Sequence, residues 1–361
     1  MAQNKIVLKW LVGRGISAFS IWVSQAVKIS VNWGDGHSEV FECGNSDSSL
    51  PCLQLEEACL LNTDGMTQIG HQYYFNREYR VTILIENCDY ISFAIDQQYF
   101  CDLKELDVSA APGLIELGCQ HSDFKTLDLS KNTAMQFLHC DYCCHLPKLD
   151  VSNNIALKKL SCCSCCLEDL FLGRNIDLEE LYCSGNQLKN LDLSQNILLK
   201  KLTCGDNLFT KFDVSNNIRL EEFYIGNNHS IVFIHKRLAK LNVSKNIALK
   251  ALYCYQQNLQ KLDVSKNAAL ECLSCGDNRL KMLDVSKNVK LEYLMCSDNK
   301  LTNLNTTNNV ALNTLRCENN HLKTLDLREN IHLIEIECRG NEFKSLLELF
   351  NKFESPSTSP F

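Results

Sequence analysis

No stretch of this 361-residue chain approaches the roughly 18 to 20 consecutive apolar residues that a membrane-crossing helix needs, which excludes a helical span. A basic surplus is missing too: 36 Lys and Arg stand against 43 Asp and Glu, a formal net charge of −7. Phosphate binding requires a concentrated basic face. The recurring Lys245, Lys266 and Lys287 are accompanied by Asp263 and Asp284, so their field largely cancels and no nucleic-acid partner is expected. Signatures of catalysis are equally scarce. There is no H-E-x-x-H, G-x-S-x-G or phosphate-loop pattern, and the histidines are scattered, so neither an enzyme nor a cofactor site is expected. The opening Met1 to Trp10 lacks the apolar core and small-residue cleavage site of a secretory leader. Taken as the native start it carries no address out of the cytoplasm; a chain whose leader had been removed would read the same.

Cysteine, by contrast, is abundant, at 21 residues, an odd number that leaves at least one unpaired in a monomer. In a short secreted domain such a load reads as a disulfide framework. Here most cysteines keep time with a repeat. The register runs Cys119, Cys140, Cys162, Cys183, Cys204, Ile225, Cys254, Cys275, Cys296, Cys317 and Cys338. Every step is 21 residues except Cys140 to Cys162, which is 22, and Ile225 to Cys254, which is 29. The longer step carries an insertion at 229–236.

Each unit has the form L-x-x-L-x-L-x-x-N/C-x-L with Cys in the third apolar slot, the signature of a leucine-rich repeat. Alternation such as Leu181 and Cys183 points two side chains inward along a short strand. An Asn follows three residues after the Cys (Asn186, Asn207, Asn228, Asn278, Asn299, Asn320, Asn341), where a buried amide satisfies backbone groups of its own and the neighbouring coil. The second half of the unit, Leu-Asp-Val-Ser-x-Asn, carries an unbroken series at Asn132, Asn154, Asn175, Asn196, Asn217, Asn246, Asn267, Asn288, Asn309 and Asn330. Twenty-one residues leave no room for a helix on the return side. The expected fold is therefore mainly β: a solenoid of about 11 coils over 91–345, its convex side extended or 3₁₀. The apolar Phe343, Leu346, Leu347, Phe350 and Phe353 follow helical spacing, predicting a capping helix over 343–353. The tail 354–361, with Pro356 and Pro360 among serines, reads as disordered.

This pattern resembles the 21-residue leucine-rich repeats of bacterial proteins, especially the LxCxxNxLxxLDVSxN type common in Bacteroidetes, and more distantly the internalins. The resemblance implies a curved protein-binding scaffold, often exported and surface-exposed. Residues 1–90 do not follow the repeat and read as short strands, 6–12, 19–23, 27–33, 39–42 and 79–85, between Gly, Asn, Asp and Ser turns. Within them, Trp33, Gly34, Asp35 and Gly36, then His71 and Tyr73, then Tyr79, Val81 and Ile83, resemble a polycystic-kidney-disease (PKD) type β-sandwich, with Glu78 where that family has glycine. The resemblance implies an adhesion or spacer module that also caps the first coil.

Two groups of residues compete for a function. Cys140, Cys143, Cys144, Cys162, Cys163, Cys165 and Cys166 form two Cys-x-x-Cys pairs in adjacent coils, a pattern that structural zinc sites use. The repeat explains most of it, since Cys140 and Cys162 occupy the ladder slot and Cys143 and Cys165 the N/C slot. Packing is thus preferred over metal binding and over redox use. The other group comprises outward strand positions, which have no packing obligation. Tyr182, Tyr224, Tyr253, Tyr255, Tyr293 and Met295, with Arg316, form an aromatic stripe suited to an interface; the competing reading is cross-strand stabilisation of the sheet. The function expected is recognition of a protein, host-derived or otherwise, or of a glycan, through the concave face. The alternatives are an envelope-assembly or structural protein, and after it a metal-handling one.

Overall fold

In the computed structural model the described residues are 4–12, 15–23, 27–43, 67–73, 77–85, 91–95, 102–227 and 237–344. The insertion at 229–236, the capping helix beyond residue 344 and the tail 354–361 lie outside them. The chain divides into two compact units, Met1–Asn196 and Ile197–Phe361.

The first unit opens with eight strands: β1 (Asn4–Val12), β2 (Gly15–Val23), β3 (Val27–Asn32), β4 (Ser38–Cys43), β5 (Thr67–Tyr73), β6 (Arg77–Ile85), β7 (Ile91–Ile95) and β8 (Asp102–Ala110). One sheet has the order β4-β3-β6-β1-β8, and every pairing in it is antiparallel. Ile29 lies opposite Ile85 and Val31 opposite Ile83, and all four are buried. Trp33, directly after β3, is fully buried, its indole N–H donating to Glu39 Oε2 at 3.3 Å. The turn that follows is built as its residues dictate. Gly34 and Gly36 have φ of 78° and 103°, the Gly34 N–H donates to Asn32 Oδ1, and the His37 N–H donates to Asp35 Oδ1. Glu78 lies inside β6, opposite Leu11, so no turn is needed there.

The other strands of the first unit show how it joins the repeat. β5 and β7 flank β2 in antiparallel fashion. β7 then pairs in parallel with β9 (Leu114–Gly118), which pairs in parallel with Phe137–His139. The repeat strands therefore grow directly from the edge of an N-terminal sheet, which removes an exposed edge that would otherwise template aggregation.

From β9 onward eleven short strands recur, four in the first unit and seven in the second, ending at Glu335–Glu337. Neighbours pair in parallel, in register: Leu138 with Leu160, Leu252 with Leu273, Leu294 with Leu315. The inward Leu and Cys are buried along both runs. After each ladder Cys the chain turns through a left-handed residue two positions on: Tyr142, Ser164, Asp206, Gln256, Asp277, Asp298 and Asn319 all have φ between 51° and 60°, and Gly185 and Gly340 take the same place. The return side consists of extended segments and turns. No 3₁₀ segment or helix occurs among the described residues, so of the two conformations expected there only the extended one is seen.

Two columns of buried amides tie coil to coil. In the second, each Asn Nδ2 donates to two carbonyls of the preceding coil: Asn288 to Val264 O at 3.0 Å and Asn267 O at 2.8 Å, Asn267 to Val243 O at 3.0 Å and Asn246 O at 2.8 Å. The backbone carbonyl of one Asn is thus the acceptor for the next. In the first column Asn278 takes the Leu259 N–H on Oδ1 and donates to Cys254 O and Cys275 O. Gln257 fills that slot one coil earlier, its amide bonded to Leu238 N–H and Ile225 O. The Asp of Leu-Asp-Val-Ser accepts the N–H two residues on, as Asp263 does from Ser265 and Asp284 from Ser286. These bonds hold the Asp263 and Asp284 carboxyls below the usual 3.8. They are turn caps, not an acid and base pair.

Replacing Asn288 with Ala orphans two buried carbonyls, at about 1–3 kcal/mol for each unmet group. Urea denaturation should show a loss of about 2–4 kcal/mol for Asn288→Ala and under about 0.5 kcal/mol for Asn308→Ala, whose side chain is exposed and holds one bond to Ser286 O. Equal losses would contradict the column as the source of cohesion.

Candidate functional site

The cysteine cluster of the first unit resolves into the framework. The Cys143 thiol donates to Cys119 O at 3.3 Å and the Cys165 thiol to Cys140 O at 2.9 Å. One coil later Asn186 Nδ2 donates to Cys162 O at 2.8 Å. The acceptor is in each case the ladder-Cys carbonyl of the preceding coil, so the two thiols stand in for the amide. Cys140 and Cys162 are fully buried, and Cys143 and Cys165 with them. Burial pushes the Cys162 thiol well above its usual range, and burial with the nearby Asp141 carboxylate pushes Cys163 up to about 12. Both effects oppose the thiolate that a metal requires. Cys144 is exposed and Cys166 half-buried. No group of three or more His, Cys, Asp or Glu converges on one point among the described residues.

Outward strand positions are occupied differently in the two units. In the first, Tyr182 donates to Glu180 Oε2 at 3.1 Å, and Lys159 Nζ lies 5.5 Å from its ring centre while also pairing with Glu180 at 3.4 Å. Nearby, Asp141 accepts both the Ser161 hydroxyl and the Cys163 N–H at 2.7 Å. His121 stacks on Tyr142 at 4.6 Å, an aromatic pair on the left-handed column that the repeat pattern did not single out.

In the second unit Tyr224, Tyr253 and Tyr255 meet. The rings of Tyr224 and Tyr253 are 5.5 Å apart; Tyr224 and Tyr255 lie edge to face at 5.6 Å, with their hydroxyls bonded to each other. Two glycines make this possible. A Cβ on Gly226 would come within 2.9 Å of the Tyr255 ring, and one on Gly205 within 3.3 Å of Tyr224 and 2.0 Å of Gly226 O. A side chain at either place would push the rings off the backbone. Tyr253 also accepts the Cys272 thiol at 3.4 Å, and that bond with burial holds its phenol up at about 12. Sequence reasoning missed Gly205, Gly226 and Cys272; the repeat-breaking glycines before Asn207 and Asn228 were the available signal.

Tyr293 and Met295 follow, with Ser274 and Cys272 between them and the tyrosine cluster. Tyr293 is 42% exposed. Arg316 is held by Glu335 at 2.6 Å and Glu337 at 3.4 Å, and Lys201 and Lys250 pair with Glu222 and Glu221. The arrangement offers aromatic faces, phenol hydroxyls and paired charges. It is chemistry for contact, with no nucleophile set beside a base among these residues.

Comparison with solved structures places this architecture. The functional domain of InlJ from Listeria monocytogenes, which includes a cysteine ladder, superposes with a TM-score of 0.54 at 30% identity. That match covers 67% of this chain and 57% of the InlJ domain. The fold is a leucine-rich-repeat solenoid. The L. monocytogenes internalin InlF (TM-score 0.55, 17% identity, 69% and 81% of the two chains) and a leucine-rich-repeat protein of Leptospira interrogans (0.51, 19%, 70% and 80%) share it. The chain spans little more than half the length of the InlJ domain it resembles. No protein-family model and no curated protein sequence matches it.

If Cys165 acts as a surrogate amide, Cys165→Asn should fold with stability within about 1 kcal/mol of the parent, while Cys165→Val should lose more. Protein purified without added metal should contain less than a tenth of an equivalent of zinc by elemental analysis. Stoichiometric zinc would reinstate the metal reading.

Proposed function

We propose that this protein is a non-enzymatic recognition scaffold that binds another protein through the outward strand face of its solenoid. The observation that carries the reading is the Tyr224–Tyr253–Tyr255 cluster with Tyr293 and Met295 together two strands on from Tyr253. Those positions break the repeat, and nothing in the inward packing requires aromatics there. Tyrosine and methionine are favoured at interfaces because each offers large contact area and adaptable chemistry. Tyr182 and Arg316 belong to the same set of outward positions. The N-terminal sheets, with their Trp33 to Gly36 turn, act in this reading as a PKD-like spacer, and surface display in a bacterium of the Bacteroidetes type is the setting that the repeat's resemblance favours.

Photo-crosslinking from positions 293 and 295 should trap a partner that position 245, on the return side, does not trap. Tyr293→Ala and Met295→Ala should each then weaken that partner at least tenfold, about 1.4 kcal/mol, with the melting temperature moved by less than about 3 °C. Equal trapping from position 245 would move the interface off the strand face.

A second reading, self-association as a structural protein, is favoured by one specific feature. In the second unit Ile197, Ile218, Ile247, Val289, Val310 and Ile331 recur at one register, each at least 50% exposed. Contiguous apolar surface of this kind is unusual on a monomer. Under this reading the weight-average mass from light scattering rises with concentration and falls back to 41.1 kDa in Ile218→Lys/Ile247→Lys; a constant mass would exclude it.

A further inference from the structure

Of the cysteines clustered between 140 and 166, the repeat employs Cys140, Cys143, Cys162 and Cys165 as buried framework. Cys144 and Cys166 serve neither the ladder nor the amide corner. Each stands four residues after a ladder Cys, on adjacent coils and 22 residues apart, the offset that also sets Leu138 against Leu160. The Cys144 thiol already reaches the next coil, donating to Ser164 O at 3.5 Å as well as to Tyr142 O at 3.6 Å. Coils about 4.8 Å apart bring two Cα atoms of one register within the roughly 4.4–6.8 Å that a disulfide spans.

Several thiol pairs in this solenoid share that spacing, Cys140 with Cys162 and Cys254 with Cys275 among them. Those are fully buried, out of reach of an oxidant. Cys144 is exposed and Cys166 half-buried. Among the described residues they form the one same-register pair on adjacent coils in which neither cysteine is buried.

A bond between them would fall at a thinly tied corner. One coil on, Asn186 both accepts and donates: its Oδ1 takes the Cys165 and Leu167 N–H groups at 3.0 Å, and its Nδ2 donates to Cys162 O. Cys143 and Cys165 supply the donor in that slot, but sulfur is a weak acceptor, so half of the amide's service is lost. The coil that holds Cys144 also carries the extra residue of the repeat. Cys166 is alone in its register, among the described residues, in having a left-handed φ of 60°. Backbone strained in this way persists where surrounding structure or function demands it.

We propose that Cys144 and Cys166 are an oxidation site, closing an inter-coil disulfide that staples the 22-residue coil to the next one when the protein meets a low-molecular-weight disulfide. The Cys144 thiolate attacks one sulfur of R–S–S–R, forming a mixed disulfide and expelling R–S⁻. The Cys166 thiolate then attacks the Cys144 sulfur, forms the Cys144–Cys166 bond and expels the second R–S⁻. The two thiol protons end on the two R–SH released, and the two electrons given up by the cysteines reduce R–S–S–R. Partial burial and the adjacent Cys166 hold the Cys144 thiol up. Closure is therefore driven by the proximity of the second thiol, not by an activated first one.

The test uses the full chain, reduced, desalted and exposed to oxidised glutathione in mildly alkaline buffer, then alkylated in denaturant and mapped by mass spectrometry. A Cys144–Cys166 crosslink should form while the buried ladder cysteines are recovered alkylated. Cys166→Ser, which lacks the second thiol, should retain glutathione on Cys144 about tenfold more than the parent. Because Cys166 is half-buried, Cys144→Ser, at an exposed position, provides the second variant and should abolish the crosslink with the fold unchanged. In the oxidised parent, amides of 141–148 and 163–170 should exchange with deuterium about tenfold more slowly, and reduction should restore their rates. Glutathione retained on Cys144 of the parent without a crosslink, a bond between Cys143 and Cys165 instead, or exchange unchanged by oxidation would overturn the assignment.

Discussion

The constraint on which the rest of this molecule depends is the need to pair the carbonyl groups that each tight coil turns toward its own interior. A 21-residue coil has two sharp corners, and at each the backbone ladder lapses. Water does not reach the corners, so an amide side chain must. Asn267 and Asn288 do this by donating two bonds apiece to the coil before. Since each Asn carbonyl is the acceptor for the next amide, the column is a continuous chain. Its spacing fixes the period of the repeat more firmly than the leucines do, because a leucine slipped by one methylene costs less than an orphaned carbonyl.

Departures from the period obey that constraint. The coil of 22 residues still pairs Leu138 with Leu160, Asp141 with the Cys163 N–H, and Lys148 with Asp169. The first two pairs are 22 apart and the third is 21. The extra residue is thus absorbed between Cys144 and Lys148, beyond one amide corner and before the other. Asn154 keeps both donor bonds, now to carbonyls 25 and 22 residues back instead of 24 and 21. Substitution within the column follows the same logic. Cys143 and Cys165 supply an S–H where other coils supply N–H, and Gln257 reaches with a longer arm. What matters is a buried donor at that point, whichever side chain carries it.

This explains how much could be read in advance. Buried positions are periodic because inter-coil bonds are periodic, so the inward Leu, the ladder Cys and both Asn columns were visible in the spacing alone. The Cys143 and Cys165 roles followed from the same register. Other features had no such handle. The left-handed column is filled by Tyr, Ser, Asp, Gln, Asn and Gly, residue types too diverse to mark a single conformation. The Tyr224 and Tyr255 contact depends on Gly205 and Gly226, each serving a side chain of the following coil, 19 and 29 residues away. In the N-terminal part, β5, β7 and β8 went unread as strands of that region, because β7 and β8 lie just where the repeat begins and their pairing with β2, β9 and β1 is set by long-range register.

Function in such a scaffold is confined to what the amide columns leave unconstrained. Inward positions answer to packing, corner positions to hydrogen bonding, and the Asp of each second half to its turn. The outward strand positions answer to none of these, and their chemistry changes from coil to coil: Lys and Glu pairs at 201 and 222, aromatic rings at 224 and 253, small residues at 272 and 274, then Tyr and Met. Parallel register sets these groups on a grid with a step of about 4.8 Å, close to the thickness of one side chain. A coil of small residues is therefore shaped by the larger side chains beside it: the Tyr253 hydroxyl accepts the Cys272 thiol, and Ser274 is buried.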